Sequence, residues 1–217
     1  MTTTMLSRTH VSAGCLAEYE AFAALIEGLN DKEWNATTRC VGWQARDVAG
    51  HVIGLAEDTA AGVPGSRNAE EEAASVRHES PAGAAARLRT ATATLRALVD
   101  AIDDDAWNGP SGVPDLSLGE GVLTLWYDTY VHADDIRAAI GRTSERGPGL
   151  DATIAYLAGQ LTAKSWGPAT LALDEIGRHD VSGGGPEITG DALQFALVAT
   201  GRADASTVGL DPDVNIY

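Results

Sequence analysis

The chain has 217 residues, 44% of them hydrophobic, which is room for one large domain or two small ones of ordinary globular composition. It carries 31 acidic against 15 basic residues, a formal net charge of -16. That excess opposes binding to phosphate backbones or anionic membranes, which need basic patches, so no nucleic-acid or membrane partner is expected.

Two cysteines, Cys15 and Cys40, with no CxxC pair, make neither a disulfide framework nor a zinc–thiolate site. Reduced thiols suit the cytosol. The opening MTTTMLSRTH lacks a basic stretch followed by an apolar core, unlike a signal peptide. No run approaches the roughly 18 apolar residues of a membrane span. A cytoplasmic protein is the expectation.

From about His10 to Leu29, the residues Leu16, Tyr19, Phe22, Ala23 and Ile26 recur at three- and four-residue steps. This predicts a first long helix, stopped by Asn30-Asp31. The connector WNATTRCVGW reads as a packed loop anchored by Trp34 and Trp43. A second helix is expected from Gln44 to Ala60. It carries His51, with Val48 and Leu55 on the same side and Asp47 one turn before. Gly62 to Ser66 is turn-rich, and the acidic run AEEEAAS after it is expected to be exposed. Ser80 as N-cap and Pro81 at the first helical position start a third helix, which continues through Leu88, Leu95 and Leu98 to Ile102. Asp103 to Asp105 reads as a solvated helix exit. After a loop rich in Gly and Pro, Ser117 and Glu120 form a capping box. The fourth helix they open runs to Ile140, where Gly141 stops it. Four helices of this length with inward polar positions predict a four-helix bundle with a site between its helices.

At RTSERGPG, Arg142 to Gly149, the texture changes. We take this as the boundary between a bundle over residues 1–143 and a second domain over residues 150–217. A helix over Asp151 to Lys164, an alternating ATLALDE strand, a turn at SGGGP, a short strand in PEITG and a helix over Asp191 to Thr200 predict a small α+β domain. The expected fold is therefore mainly α, a four-helix bundle followed by a small α+β C-terminal domain.

The chemistry concentrates in WYDTYVHADDIR, Trp126 to Arg137, which places Asp128 and His132 four residues apart and so on one helix face. At about 100° per residue, Leu118, Leu125, Ile136, Ala139 and Ile140 share that arc, whereas Tyr127, Asp134 and Arg137 lie mostly elsewhere. The polar pair points inward, where an unpaired charge is costly. Catalytic zinc typically takes three imidazole or carboxylate ligands and leaves a fourth position open. His51, Asp128 and His132 supply that set. The spacing alone also admits a hydrogen-bonded core histidine or a helix-surface ion pair. His10 lies near the terminus, His78 in a charged loop and His179 in the second domain, and all three are weaker candidates.

The segment TRCVGWQARDVAGHVIG, Thr38 to Gly54, resembles the first signature of the mycothiol-dependent maleylpyruvate isomerase family, part of the DinB-like superfamily of metal-binding four-helix bundles. YDTYVHADDIRAAIGR is similar to its second signature. ITGDALQFALVATGR, Ile188 to Arg202, is similar to its C-terminal domain. The resemblance implies that His51 and His132 are the two histidine ligands and that Asp128 takes the carboxylate position, where glutamate is common. Aspartate is one methylene shorter, which bears on geometry and on the choice of metal. Asp135 matches the aspartate after the second histidine and, from its helical phase, would orient a metal-bound imidazole. Asp47 is a second candidate for that role. Gln44 replaces a frequent Ser or Thr cap. Arg202 resembles an arginine implicated in the family's activity, although a cation at a helix C-terminus has a plain structural reading too.

What the resemblance implies chemically is a divalent metal, zinc first and nickel second, with mycothiol as a low-molecular-weight thiol cosubstrate. A metal-bound thiolate would then attack a small electrophilic substrate, giving isomerisation or S-transfer. Neither Cys15 nor Cys40 has a histidine partner in its sequence context, so neither is assigned catalysis. A non-catalytic bundle that senses or sequesters a ligand, or scaffolds a homodimer, is the alternative; a purely structural helical domain without metal is the third reading.

Overall fold

The computed structural model describes residues 6–113 and 116–217; the first five residues of the stretch read for a leader lie outside them. The chain divides into two compact units, one formed by Arg8–Ser144 and the other containing Glu145–Tyr217.

The first unit is helical. Its four long helices are α1 (Arg8–Glu27), α3 (Ala45–Ala60), α5 (Pro81–Ala101) and α7 (Leu118–Ala139). Among the described residues, three short helices lie between them: α2 (Asp31–Trp34), α4 (Ala69–Ala74) and α6 (Asp104–Asn108). Both α1 and α3 pack against α5 and α7, so the four long helices enclose a common core. Phe22, Ile26, Ile53, Leu88 and Ile136 are fully buried there, and each such side chain stabilises the fold by about 1.5–3 kcal/mol.

The starts of these helices follow the expected capping chemistry. The Ser80 side chain accepts from the Gly83 amide with Pro81 at the first helical position, and Ser117 and Glu120 close a full capping box on α7. Three expectations need correction. Asn30 does not merely end α1: its side chain accepts from the amides of Lys32 and Glu33 and so starts α2. Asp103 likewise caps the amide of Ala106 and opens α6, where a solvated exit was expected. The acidic run is not simply exposed. Asn68 caps it into α4, and Glu72 is only 3% exposed. On α7, Tyr127, Asp134 and Arg137 are buried together with the inward arc, because that helix is covered on more than one side.

The second unit holds α8 (Pro148–Ala163), a three-stranded sheet of β1 (Ala169–Leu173), β2 (His179–Val181) and β3 (Glu187–Gly190), then α9 (Ala192–Ala199) and two short 3-10 turns. The strand order is β2-β1-β3, with β1 antiparallel to β2 and parallel to β3. α8 packs on β2 and on α9. β2 carries no sequence signal beyond its turn-rich surroundings. It forms because Ala169 to Leu171 offer an edge and because His179, 2% exposed, bonds Asp151 of α8 at 2.9 Å. The molecule is thus mainly α with a small α+β C-terminal region, and no described helix is long and apolar enough to cross a membrane.

Candidate metal site

α3 and α7 are neighbours in the bundle, and their contact brings His51 against Asp128 and His132. The Asp128 carboxylate lies between the two imidazoles: Oδ2 is 3.5 Å from His51 Nε2 and Oδ1 is 3.5 Å from His132 Nε2. The ring centroids of the histidines are 5.0 Å apart at 82°. One ligand atom from each of the three residues falls within 4.8 Å of the others. All three side chains keep a little exposure, between 11% and 17%.

Both remaining imidazole nitrogens are held by carboxylates. His132 Nδ1 lies 2.9 Å from Asp135 Oδ2, and His51 Nδ1 lies 2.7 Å from Glu72 Oε2. A carboxylate only accepts, so each Nδ1 carries the proton and each Nε2 is turned toward Asp128. This pattern orients ligating histidines in metalloproteins. The 3.5 Å separations at Asp128 exceed the usual hydrogen-bond length of about 2.9–3.0 Å. They come close to the edge, roughly 3.3 Å, of a tetrahedron of ligands around zinc. The donor set and its spacing fit a divalent cation.

Electrostatics agree. Burial by itself would lower the pKa of His51, but the carboxylates of Asp128 and Glu72 outweigh it and raise it to about 10. In the metal-free protein a proton therefore takes the place of a cation among these acids.

The loop before α3 closes the His132 side. An isolated bridge pairs Thr37 with Gln44, Thr38 N and Oγ1 donate to the Trp43 carbonyl at 3.1 and 2.9 Å, and Gly42 turns the chain at φ 84°. That turn presents Arg39 and Cys40 to α7. Arg39 Nε donates to Asp135 Oδ1 at 2.6 Å and Arg39 Nη2 pairs with Asp134. The Cys40 thiol donates to Asp135 Oδ2 at 3.1 Å and stands 4.0 Å from His132 Nδ1. Cys40 thus has a histidine neighbour after all, one that sequence context hid. Cys40, His132 and Asp135 form a second trio with metal-ligating atoms. Here the Arg39 guanidinium already occupies the carboxylate, and its charge opposes a cation. Cys15 is buried, and burial pushes its thiol pKa far up, so it stays protonated.

The sequence candidates therefore separate. His51, Asp128, His132 and Asp135 come together. Asp47 does not join them: its carboxylate accepts from Gln44 N at 3.0 Å and from Arg77 Nε at 2.8 Å, tying down the start of α3. Arg202 belongs to the other unit, where Nη1 reaches the Thr200 carbonyl at 3.4 Å just past α9. Glu72, Arg39 and Cys40 were missed. The one usable signal for Glu72 was Asn68 with Glu71 three residues on, a capping box that makes the acidic run a helix.

The family model of the mycothiol maleylpyruvate isomerase N-terminal domain matches residues 15–137, more than half of the chain. A crystal structure of the mycothiol-dependent maleylpyruvate isomerase superposes with a TM-score of 0.67 at 18% identity, covering 98% of each chain. A histidine-to-alanine mutant of that isomerase gives 0.65 at the same identity and coverage. At such identity the likeness is one of fold. Among curated proteins, none matches. The matched stretch contains every residue of the His51–Asp128–His132 cluster and its carboxylate supports, and on this match the chain belongs to the family of the mycothiol maleylpyruvate isomerase N-terminal domain.

Proposed function

We propose that this protein is a mycothiol-dependent isomerase of a small electrophile, or an S-transferase of the same chemistry, working with a divalent metal held by His51, Asp128 and His132. The observation that carries the reading is the convergence of two Nε2 atoms on one carboxylate, each imidazole fixed from behind by another carboxylate. Zinc is the first choice and nickel the second, since histidine nitrogen suits both. A cation held there by His51, Asp128 and His132 would supply the field that keeps a bound thiol deprotonated at neutral pH.

The chain's own groups do the remaining work. Glu72 and Asp135 keep the protons on Nδ1 and the Nε2 lone pairs directed inward. Arg39 balances the charge of Asp135 so that the acids do not repel one another. With the three ligand side chains only 11–17% exposed, little water reaches the cluster. With the thiolate sulfur as nucleophile, addition to one carbon of an activated C=C bond opens its π bond; rotation about the resulting single bond and expulsion of the thiolate re-form the double bond in isomerised geometry. If the neighbouring carbon instead takes up a proton, the S–C bond stays and the outcome is S-transfer. No cysteine of the protein is required. Arg202 is a further candidate for activity, on its likeness to the family's arginine. We place the reaction in the cytoplasm, whose reducing conditions suit two cysteines that form no disulfide with each other.

The test uses purified protein stripped of metal and reloaded with zinc, given mycothiol and maleylpyruvate or a panel of related electrophiles. Thiol-dependent loss of an electrophile that disappears on stripping and returns on reloading is expected. Equal loss without metal or without thiol would remove the mechanism. Full zinc occupancy with no turnover across the panel would leave the non-catalytic, ligand-sequestering bundle.

A further inference from the structure

We propose that α4 exists to orient His51, with Glu72 as the positioning residue that holds its Nδ1; this rests on the metal reading above. Three independent features lead there. First, α4 has only six residues, and of its three consecutive glutamates Glu72 alone is buried, at 3% exposure, with Oε2 2.7 Å from His51 Nδ1. Second, α3 carries glycines on both sides of His51, at Gly50 and Gly54. Glycine is disfavoured in a helix interior, so a pair one turn apart needs a packing reason. A Cβ on Gly50 would lie 2.5 Å from the Ala73 carbonyl oxygen, and one on Gly54 would lie 2.6 Å from Glu72 Cβ. Real Cβ contacts are essentially never that short. The two glycines therefore form the shelf on which α4 sits close enough for Glu72 to reach the imidazole. Third, α4 touches His51's surroundings again through Glu70, whose Oε1 accepts from Trp43 Nε1 at 2.7 Å while the Trp43 ring packs 5.5 Å from the His51 ring. Beyond α4's far end, Arg87 of α5 donates to the Ser75 carbonyl at 2.9 Å.

The geometry separates this role from mere packing. Leucine at position 72 keeps the bulk and removes the acceptor; glutamine keeps a carbonyl acceptor; alanine at position 54 leaves Glu72 in place and takes away its shelf. Two readouts follow each variant: zinc affinity by competition with a chelator, and the downfield Nδ1 proton of His51 by NMR in metal-free protein. Glu72→Leu and Gly54→Ala are each expected to lower zinc affinity by about 10–100-fold and to erase the Nδ1 proton signal. Glu72→Gln is expected to stay within a few-fold of wild type with the signal present. Wild-type affinity and an intact signal in Glu72→Leu would overturn the proposal. So would a Glu72→Gln variant as weak as Glu72→Leu, and this arm decides the matter even if Glu72→Leu fails to fold. If wild type itself takes up no zinc, the metal reading fails, while the Nδ1 signal still decides whether Glu72 holds His51.

Discussion

His132 and His51 each present Nδ1 to a buried carboxylate, but the two supports come from different places in the chain. Asp135 stands three residues along the same helix as His132, whereas Glu72 reaches His51 from a separate short helix, 21 residues away in sequence. The His132 side is further braced by Arg39 and Cys40, both on Asp135. The His51 side depends on how closely α4 approaches α3. Within one site, one half is written into a helical repeat and the other into a tertiary contact.

Breaking the braced half is expected to have the larger effect on folding. Asp135 is completely buried and accepts from Arg39, His132 and Cys40. Asp135→Ala leaves those donors without their shared acceptor and is expected to cost about 2–3 kcal/mol, read from the urea midpoint at unchanged slope. Glu72→Leu, which leaves one imidazole donor unsatisfied, should destabilise less. A reversed order would mean that α4, and not the Arg39 loop, is the main brace.

The next effect sharpens the comparison through pH. Without metal, His51 has a folded pKa of about 10, above an unfolded value of about 6.5. The native state therefore holds this proton more tightly, and its contribution to stability is full below about pH 6.5 and lost as pH rises toward 10. The metal-free protein should lose stability across that window, and Glu72→Leu should narrow the loss. Zinc binding must displace the same proton, so zinc affinity should rise with pH over the same range. Thermal melts of metal-free protein at stepped pH values check the first sign, and chelator competition checks the second. Stability that climbs from neutral to alkaline pH would contradict the assignment of His51.

These contrasts also explain what could be read from the sequence. Asp128, His132 and Asp135 share one helix, so a fixed periodicity places them together without any tertiary contact. The helix starts at Ser80-Pro81 and Ser117 were legible because capping is local chemistry. Glu72 was not, since a six-residue helix is too short for a periodic signal and nothing local marks which glutamate turns inward. The glycines beside His51 stand in the sequence, but the reason for them lies in the approach of α4, which no local rule supplies. Arg39 and Cys40 reach Asp135 across more than 90 residues, a distance no spacing rule covers. The strand β2 escaped notice for the same reason, because its partner edge and Asp151 lie elsewhere in the chain.

The most direct test of the central claim is elemental analysis of the purified protein, wild type beside His51→Ala. About one zinc or nickel ion per chain in wild type, lost in a folded His51→Ala variant, is the predicted result. Full metal content in that folded variant, or none in wild type even after incubation with zinc, would contradict the assignment of His51, Asp128 and His132 as a metal site.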